Sequence, residues 1–393
     1  MTPLAKMIYV DHAATTRVLP EVQVAMEPYL TEKFGNPSSA HSLGVGAREA
    51  VEAARRKIAE ALSCFPDEIV FTSGGTEADN AALTGAALAS TKKKIVTSQI
   101  EHPAVLNTCG FLEEIGYQIS RICADTNGIV NMQELSAAIT DDTSLVSVMM
   151  ANNETGVIQP YAEIGRLARR HSALYICDAV QAVGTVPFSF SSSCIDLMSL
   201  SGHKLGAPKG IGALIVRRGT PLRPFLYGGG QEHGIRSGTE NVAGIVGLAV
   251  AVEKAVSNDC YDGVWQMKRR LMDCIGDIPL SHINGNIEHT IPGTLNVSFD
   301  YVNGYDLVSY LSSKGIYASS SSACASSTGR PSHVLLAMGC SAEQARGSLR
   351  FSLNRFNTMD EMNKICEILP QAVQLLRKQN PTYVNRKGRC KDE

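Results

Sequence analysis

The stretch Ser201-Gly202-His203-Lys204, which follows an apolar run at 195–200, is the part of this sequence best suited to chemistry. A lysine at a strand end can be an ordinary surface residue, or its amine can form a Schiff base with an aldehyde cofactor. Two further apolar runs end in groups that could bind other parts of such a cofactor. Asp178 could face a protonated ring nitrogen, and Ser73-Gly74-Gly75-Thr76 could bind a phosphate. Together these residues predict a site for pyridoxal phosphate.

Five further side chains are candidates for the same site. Gln181, three residues after Asp178, could reach the phenolic oxygen of such a cofactor. His102 could stack on the ring and shuttle protons or be purely structural, and His203 has the same two interpretations. Arg350 could clamp a substrate carboxylate, and Cys324, in a run of small polar residues, is a candidate nucleophile.

Two loops have an ordinary and a functional interpretation. The glycine-rich segment 227–239 could be a flexible connection, or it could contribute a second phosphate contact across a dimer interface. The turn-rich segment 34–39 could simply end one element and begin the next, or it could border the site.

The elements that must position these residues alternate between strand and helix from about residue 68 to residue 216. Their apolar strands predict an α/β fold with a mostly parallel, seven-stranded-type sheet covered by helices on both faces. Ligands of such sheets bind where the strands end, which is where the candidate side chains lie. We predict a large domain at 15–258, a smaller α+β domain formed by 1–14 and 259–380, and a polar tail at 381–393.

Composition excludes several classes of partner. With 44% hydrophobic and 19% charged residues and a net charge of −2, the chain gives no reason to expect binding to nucleic acid or to an anionic membrane. The N-terminus lacks a signal-peptide pattern, and the longest apolar run is too short to span a membrane. Eleven cysteines without a CxxC pair predict a reducing, cytoplasmic location and no structural metal site.

The motifs in combination are specific to one family. The chain resembles the cysteine desulfurases of the NifS/IscS group, which are fold type I enzymes that use pyridoxal phosphate. The resemblance covers about residues 9–358 and rests on these motifs: Asp-His-Ala-Ala-Thr-Thr (11–16), Phe-Gly-Asn-Pro-Ser-Ser (34–39), Phe-Thr-Ser-Gly-Gly-Thr-Glu-Ala-Asp-Asn (71–80), Glu-His (101–102), Asn-Asn-Glu-Thr-Gly (152–156), Asp178 with Gln181, Ser-Gly-His-Lys (201–204), Arg-Ser-Gly-Thr (236–239), Ser-Ala-Cys (322–324) and Leu-Arg-Phe-Ser (349–352).

The resemblance implies conversion of L-cysteine to L-alanine, with the sulfur left on the enzyme as a persulfide for iron–sulfur cluster assembly. It makes Lys204 the Schiff-base lysine, Cys324 the sulfur acceptor and His102 the acid/base. Cys324 could also ligate a nascent cluster transiently, although no metal is expected in the free enzyme. The remaining residues are implied to bind cofactor (Gly75, Thr76, Asn153, Asp178, Gln181, Ser201, His203 and, from the partner subunit of a homodimer, Thr239) or substrate (Asn36, Asn153 and Arg350).

The C-terminus does not look like the IscS-type ending that helps to dock the scaffold protein. This favours a NifS-like enzyme with a NifU-like partner over an IscS-like enzyme with an IscU-like partner. Two alternatives remain open at this stage. One is another enzyme of the same cofactor class, such as a selenocysteine lyase or an aminotransferase, and the other is an inactive scaffold subunit of a sulfur-transfer complex.

Overall fold

A computed structural model describes residues 7–257, 261–320 and 330–384. Its strands, in chain order, are β1 (Ile8–Tyr9), β2 (Ile69–Thr72), β3 (Lys94–Ser98), β4 (Gln118–Ile122), β5 (Thr143–Ser147), β6 (Leu174–Asp178), β7 (Leu197–Ser201), β8 (Gly212–Val216), β9 (Ser281–Ile283), β10 (Thr294–Phe299), β11 (Ile316–Tyr317), β12 (Ser319–Ser320) and β13 (Ser348–Ser352). Its α-helices are α1 (Pro20–Thr31), α2 (Ser42–Leu62), α3 (Gly75–Ala89), α4 (Pro103–Glu114), α5 (Met132–Ala138), α6 (Tyr161–Arg170), α7 (Val242–Val256), α8 (Tyr261–Gly276), α9 (Gly304–Ser313), α10 (His333–Ala337), α11 (Ala342–Arg346) and α12 (Met359–Gln379).

The larger sheet has seven strands in the order β2-β8-β7-β6-β5-β3-β4. Strands β4, β3, β5, β6 and β7 run parallel to one another, and only β8 is antiparallel to both of its neighbours. The predicted α/β fold with a mostly parallel seven-stranded sheet is therefore confirmed. Because β2 pairs with β8, it points the same way as the parallel strands, and its C-terminal end lies at the same edge.

Burial explains why these strands lack a polar–apolar alternation. Successive residues of one strand enter the hydrophobic clusters on opposite faces of the sheet: Tyr175 and Cys177 of β6 pack on one face, and Ile176 packs on the other. Helices α1, α2 and α7 pack together, and α3 packs against α4 and several strands. Both faces are thus apolar, as expected for a parallel sheet covered by helices.

The C-terminal part of the chain builds a second core. Strands β12, β13, β10 and β9 form an antiparallel sheet in that order, and β1 pairs in parallel with β11. Ile8 and Val10 belong to the hydrophobic cluster of this region, together with residues of α8, α9 and α12. Ile8 and Val10 therefore pack against the C-terminal core, while the exact domain limits given above stay a prediction.

Sequence patterns do not reveal every element. Helix α1 is unexpected, because Pro20 opens it and Pro28 lies inside it. Strands β9, β11 and β12 are only two or three residues long, which is too short for a periodic pattern. In the described part of the chain, no helix combines the length and the apolar character that a membrane crossing requires.

Lys268 of α8 is an unusual member of the second core. It is 1% exposed, and its Nζ reaches the Ile291 carbonyl oxygen at 3.2 Å, Thr290 Oγ1 at 3.4 Å and the ring centroid of Trp265 at 4.7 Å. Burial lowers the pKa of this amine to about 7. Folding therefore favours the neutral form of a group that is normally protonated in water.

We expect the free energy of unfolding to rise with pH above about 7, by about 1–3 kcal/mol up to pH 9, and Lys268→Met to remove most of this rise. The unfolded chain keeps the amine protonated over this range and so binds more protons than the folded chain, which makes stability increase with pH. Denaturant unfolding at the two pH values measures the effect. Lys378→Met, at an exposed position of α12, is the control, and equal pH slopes in all three proteins would contradict the assignment.

Candidate active site

The candidate residues lie where neighbouring strands of the larger sheet end. β6 ends at Asp178, and β7 leads directly into the short 3₁₀ turn Gly202–Lys204. His102 follows β3, and Asn153 follows β5. Since these strands are parallel and adjacent, their side chains meet at one edge of the sheet, as predicted from the sequence.

Lys204 points to the N-terminal segment. Its Nζ donates to the carbonyl oxygens of Ala13 and Ala14 at 2.5 and 2.7 Å. That segment is held by the Ala13 N–H, which donates to Ser352 Oγ at 2.9 Å, and by the Thr16 N–H, which donates to the His203 carbonyl at 2.9 Å. Two chain segments almost 200 residues apart thereby fix the position of the lysine.

Asp178 is a buried carboxylate with one clear partner. It is 8% exposed, and its Oδ1 accepts a hydrogen bond from the Val180 N–H at 2.8 Å. Burial raises the pKa of this carboxyl, while the charges of His102 and Lys204 oppose the rise. No arginine or lysine forms an ion pair with it among the described residues. A buried acid left without a salt bridge suits a ring N–H, so the residues present fit a pyridoxal phosphate ring.

His102 caps the N-terminus of α4. Its Nδ1 accepts from the Ala104 N–H at 3.1 Å, so the neutral ring carries its proton on Nε2. Burial lowers its pKa, and the negative charge of Asp178 opposes this. A neutral imidazole with Nε2–H available can donate or accept a proton at that atom.

The turn after β2 has the geometry of a phosphate site. Gly74 adopts φ +154°, and a side chain on Gly75 would come within 2.8 Å of Val180 Cγ2. The close approach brings the start of α3 beside buried Ser201 at the end of β7. The first turn of a helix leaves N–H groups unpaired and attracts an anion, so Gly75, Thr76 and Ser201 fit a phosphate.

Arg350 of β13 lies on the other side of the site. Its Nη1 donates to the Asn153 carbonyl at 2.8 Å, and its Nη2 donates to Asp11 Oδ1 at 2.8 Å. The guanidinium is buried, and its Nε has no hydrogen-bond partner within the part of the chain that the structure describes. An unpaired buried donor is costly, which suits a site that receives a carboxylate.

Comparison with known proteins agrees with this geometry. Residues 8–365 match the model of the family described as aminotransferase class V. The chain belongs to the class V aminotransferase family. Within it, the chain is 47% identical over 380 residues to the cysteine desulfurase IscS of Methanosarcina thermophila, covering 96% of this chain and 94% of the relative. A cysteine desulfurase of Nostoc sp. is 45% identical, covering 95% of each chain.

Solved structures lead to the same group. A NIFS-like protein superimposes with a TM-score of 0.89 at 38% identity, covering 94% of this chain and all of that one. SspA in complex with cysteine superimposes with a TM-score of 0.80 at 37% identity, covering 89% of this chain and all of that one. The predicted membership in the NifS/IscS group of cysteine desulfurases and the fold type I architecture are confirmed.

In this family member, two ion pairs hold the glycine-rich segment 227–239 against the phosphate turn. Arg55 forms a bidentate pair with buried Glu232 at 2.7 and 2.9 Å, and Glu232 also accepts from the Phe71 N–H of β2 at 2.8 Å. Arg236 pairs with Glu77 at 2.8 Å, and Glu77 accepts from the Ser73 N–H. These pairs attach the segment to α2, β2 and α3, whereas its contact with a phosphate stays a prediction.

The structure places three further predicted residues, and their roles stay predictions. Thr239 is exposed, although its neighbours on both sides line a small cavity with Ser73. Asn36 is exposed, and its Oδ1 accepts from the Ser38 N–H at 2.9 Å within its own turn. Gln181 Nε2 donates to the Ala13 carbonyl at 3.1 Å. Cys324 lies outside the described residues, so its role as nucleophile stays a prediction.

His203 and Lys204 share one short turn, but their side chains have different partners. His203 Nδ1 lies 3.1 Å from Thr15 Oγ1, and burial together with the charge of Lys204 lowers its pKa to about 4. A neutral His203 can hold a cofactor phosphate by hydrogen bonding but not by charge. Its assignment as a phosphate ligand stays a prediction.

Three acids have no role that the sequence predicts. Asp79 of α3 accepts from Ser199 Oγ at 2.5 Å, and burial followed by the charge of Asp178 raises its pKa well above the usual range. Burial raises the pKa of Glu101 to about 8, although Ser98 Oγ donates to it at 2.5 Å. Asp11 is half-buried, forms the ion pair with Arg350 and is the third. The family motifs contain all three acids, but no local pattern in the sequence predicts the burial of Asp79 and Glu101.

Proposed function

We propose that this chain is a pyridoxal-phosphate-dependent cysteine desulfurase that converts L-cysteine to L-alanine and retains the sulfur as a persulfide on Cys324. The single observation that carries the proposal is the meeting of Lys204, Asp178 and His102 at one sheet edge, with Arg350 beside them. No cluster of three or more His, Cys, Asp or Glu side chains suited to a metal occurs among residues 7–257, 261–320 and 330–384.

Each residue has a distinct task in this proposal. Bound pyridoxal phosphate supplies an electron sink for bond cleavage at the substrate carbons. Lys204 holds the cofactor aldehyde, Asp178 keeps the ring nitrogen protonated, and Gly75, Thr76, Ser201 and His203 bind the phosphate. His102 moves a proton at Nε2, and Gln181 donates to the phenolic oxygen.

The substrate side of the site is organised around Arg350. Its guanidinium binds the substrate carboxylate together with Asn153, and Asp11 fixes its orientation through the 2.8 Å ion pair. Asn36 borders the substrate in the same proposal. An arginine held on two sides by Asp11 and the Asn153 carbonyl loses little entropy when it binds.

The described residues on both sides of segment 321–329 support the role of Cys324. Ser319 of β12 pairs directly with Arg350, so the chain leaves the small sheet at the substrate end of the site. On the other side, Ser332 Oγ donates to Glu154 Oε2 at 2.5 Å, and Glu154 follows Asn153 in the chain. The described residues that precede and follow this segment therefore both lie beside the proposed carboxylate site.

The overall reaction is balanced without a further reagent. L-cysteine and the Cys324 thiol give L-alanine and the Cys324 persulfide, so a carbon–sulfur bond breaks and a sulfur–sulfur bond forms. We propose that a NifU- or IscU-type scaffold then receives the sulfur for iron–sulfur cluster assembly. We also propose that the enzyme is a cytoplasmic homodimer in which the partner subunit's Thr239 completes the phosphate site.

Release of alanine and sulfide from L-cysteine, with and without a thiol reductant, tests this function. Alanine should form in both conditions, and sulfide should accumulate only when the reductant clears the persulfide. An aminotransferase would give pyruvate-type products instead of alanine, and an inactive scaffold subunit would give neither. Absence of a yellow, borohydride-sensitive chromophore in the purified protein would refute the cofactor itself.

Asp178→Ala should retain cofactor but lower the rate of alanine formation by on the order of 10²-fold or more. The phosphate contacts remain, whereas the ring loses the carboxylate that keeps its nitrogen protonated. Cofactor absorbance per chain after gel filtration and the rate constant for turnover separate the two effects. Asp141→Ala, at an exposed carboxylate, serves as control, and near-normal turnover of Asp178→Ala would show that Asp178 does not face the ring.

A further inference from the structure

A separate cavity of about 140 Å³ lies between the edge of the larger sheet and the small antiparallel sheet. Lys204, Ala13 and Gln181 form part of its wall. Lys204 and Gln181 also belong to the proposed cofactor site, but none of the residues proposed to bind the phosphate or the substrate carboxylate lines this cavity. The cavity therefore adjoins the cofactor site at these two residues and is distinct from the proposed phosphate and carboxylate positions.

The lining of this cavity is cationic. Its ionisable side chains are His12, Arg17, Lys204, Tyr261 and Arg355, and no aspartate or glutamate lines it. The guanidinium carbons of Arg17 and Arg355 lie 4.3 and 5.3 Å from the ring centroid of the same Phe356. Neither arginine forms an ion pair with a carboxylate among the described residues. Two guanidinium groups that lie beside one aromatic ring and have no carboxylate partner among the described residues attract an anion.

His12 presents a buried donor to the cavity. The Phe356 N–H donates to Asn354 Oδ1 at 2.9 Å, which fixes the orientation of that amide. Asn354 Nδ2 therefore donates to His12 Nδ1 at 3.0 Å, and the neutral imidazole must carry its proton on Nε2. Nε2 is buried and has no hydrogen-bond partner in the described chain. A buried N–H without an acceptor is destabilising, so an acceptor in the cavity would restore the lost interaction.

The ring of His12 stays neutral over the physiological pH range. Burial, followed by the charge of Arg17, lowers the pKa of His12 to about 4. The Tyr9 ring packs edge-on against it, with centroids 4.9 Å apart. His12 therefore acts as a hydrogen-bond donor, and the positive charge comes from the two arginines.

We propose that this cavity binds a small carboxylate, with one oxygen accepting from His12 Nε2–H and the charge balanced by Arg17 and Arg355. A cavity of about 140 Å³ matches a ligand of roughly six non-hydrogen atoms, which is the size range of a small carboxylate. His12 Nε2–H supplies a specific hydrogen bond to a carboxylate oxygen. The guanidinium groups of Arg17 and Arg355 supply the positive charge that compensates the carboxylate. The bound anion lies beside Lys204 and adds negative charge near its amine.

Isothermal titration of the holoenzyme with acetate tests the proposal, with acetamide as the neutral compound of the same shape. We expect saturable binding of acetate at this cavity in addition to binding at the proposed Arg350 site, and binding of acetamide weaker by about tenfold or more. His12→Phe and the double variant Arg17→Gln/Arg355→Gln should each weaken acetate binding by about tenfold or more. His12→Gln keeps a side-chain N–H and should recover part of the affinity.

Two controls separate this cavity from other anion sites. Arg56→Gln changes an exposed arginine of α2 and should leave acetate binding unchanged. Arg350→Gln removes the proposed substrate carboxylate site and should retain one saturable acetate site per chain. Loss of binding in Arg350→Gln with retention in His12→Phe would place the acetate at the substrate site and overturn the proposal. Equal binding of acetamide, or no binding of acetate by the folded wild type, would do the same.

Discussion

Lys204→Ala should abolish alanine formation, with a decrease of roughly 10³-fold or more. In the folded chain the Lys204 amine lies at the sheet edge next to Asp178 and His102, both of which respond to its charge. No other described lysine follows a strand of this edge. Alanine at this position removes the amine that anchors the cofactor and a group that can carry protons.

The variant should still bind cofactor by its phosphate, but borohydride treatment and digestion should give no lysine-linked cofactor peptide. Lys209→Ala changes an exposed lysine five residues further along the same loop. This variant should give the lysine-linked cofactor peptide after borohydride treatment and should form alanine at the wild-type rate. Recovery of a labelled lysine peptide from Lys204→Ala would place the covalent anchor elsewhere. Circular dichroism checks that the loss of the contacts to the Ala13 and Ala14 carbonyls leaves the variant folded.

Cys324→Ser should bind cofactor and L-cysteine normally but release sulfur at a rate roughly 10³-fold below that of the wild type. The wild type should carry a persulfide mass increment on the peptide that contains Cys324, and a reductant should remove it. A serine hydroxyl keeps the size and polarity of the side chain but is a far weaker nucleophile than a thiolate. The persulfide therefore has no place to form.

The other cysteines differ from a reactive nucleophile in burial and in thiol pKa, so they can be distinguished from Cys324 in this test. Cys109 and Cys177 are buried, and burial raises the pKa of Cys109 to about 12 and that of Cys177 well above its usual range. Neither can supply a thiolate readily. Cys123 is exposed and is the matched control, so Cys123→Ser should retain activity. A persulfide increment on any of these residues, or wild-type rates in Cys324→Ser, would show that another cysteine is the acceptor.

Local patterns determine most of the fold. Apolar runs at 212–216 and 294–299 predict two strands, and β8 and β10 have these bounds. The patterns also predict helices at 76–88, 103–115 and 359–377, and α3, α4 and α12 differ from these bounds by no more than two residues at either end. The residues that start a helix or form a turn act on their immediate neighbours in the chain, so the sequence alone predicts where these elements begin and end. Helix α1 escapes such patterns because its internal proline argues against a helix, and packing against α7 overrides that local preference.

The positions of strand ends in the sequence also predict that Lys204, Asp178, His102 and Asn153 meet at one edge of the sheet. This prediction works because all parallel strands of a covered sheet end on the same side, whatever the length of the connections between them. The family motifs add Gly75, Thr76, Ser201 and Arg350, whose separate local signals are weak.

Only the tertiary structure decides what touches these residues. The Arg350–Asp11 ion pair, the Lys204 contacts to Ala13 and Ala14, and the Arg55–Glu232 pair join positions 339, about 190 and 177 residues apart. No periodicity or turn signal encodes such distances, because these contacts form only when elements that are far apart in the chain pack together. The same packing creates the cavity beside His12 and leaves its Nε2–H without an acceptor among the described residues, a property that no local pattern in the sequence contains.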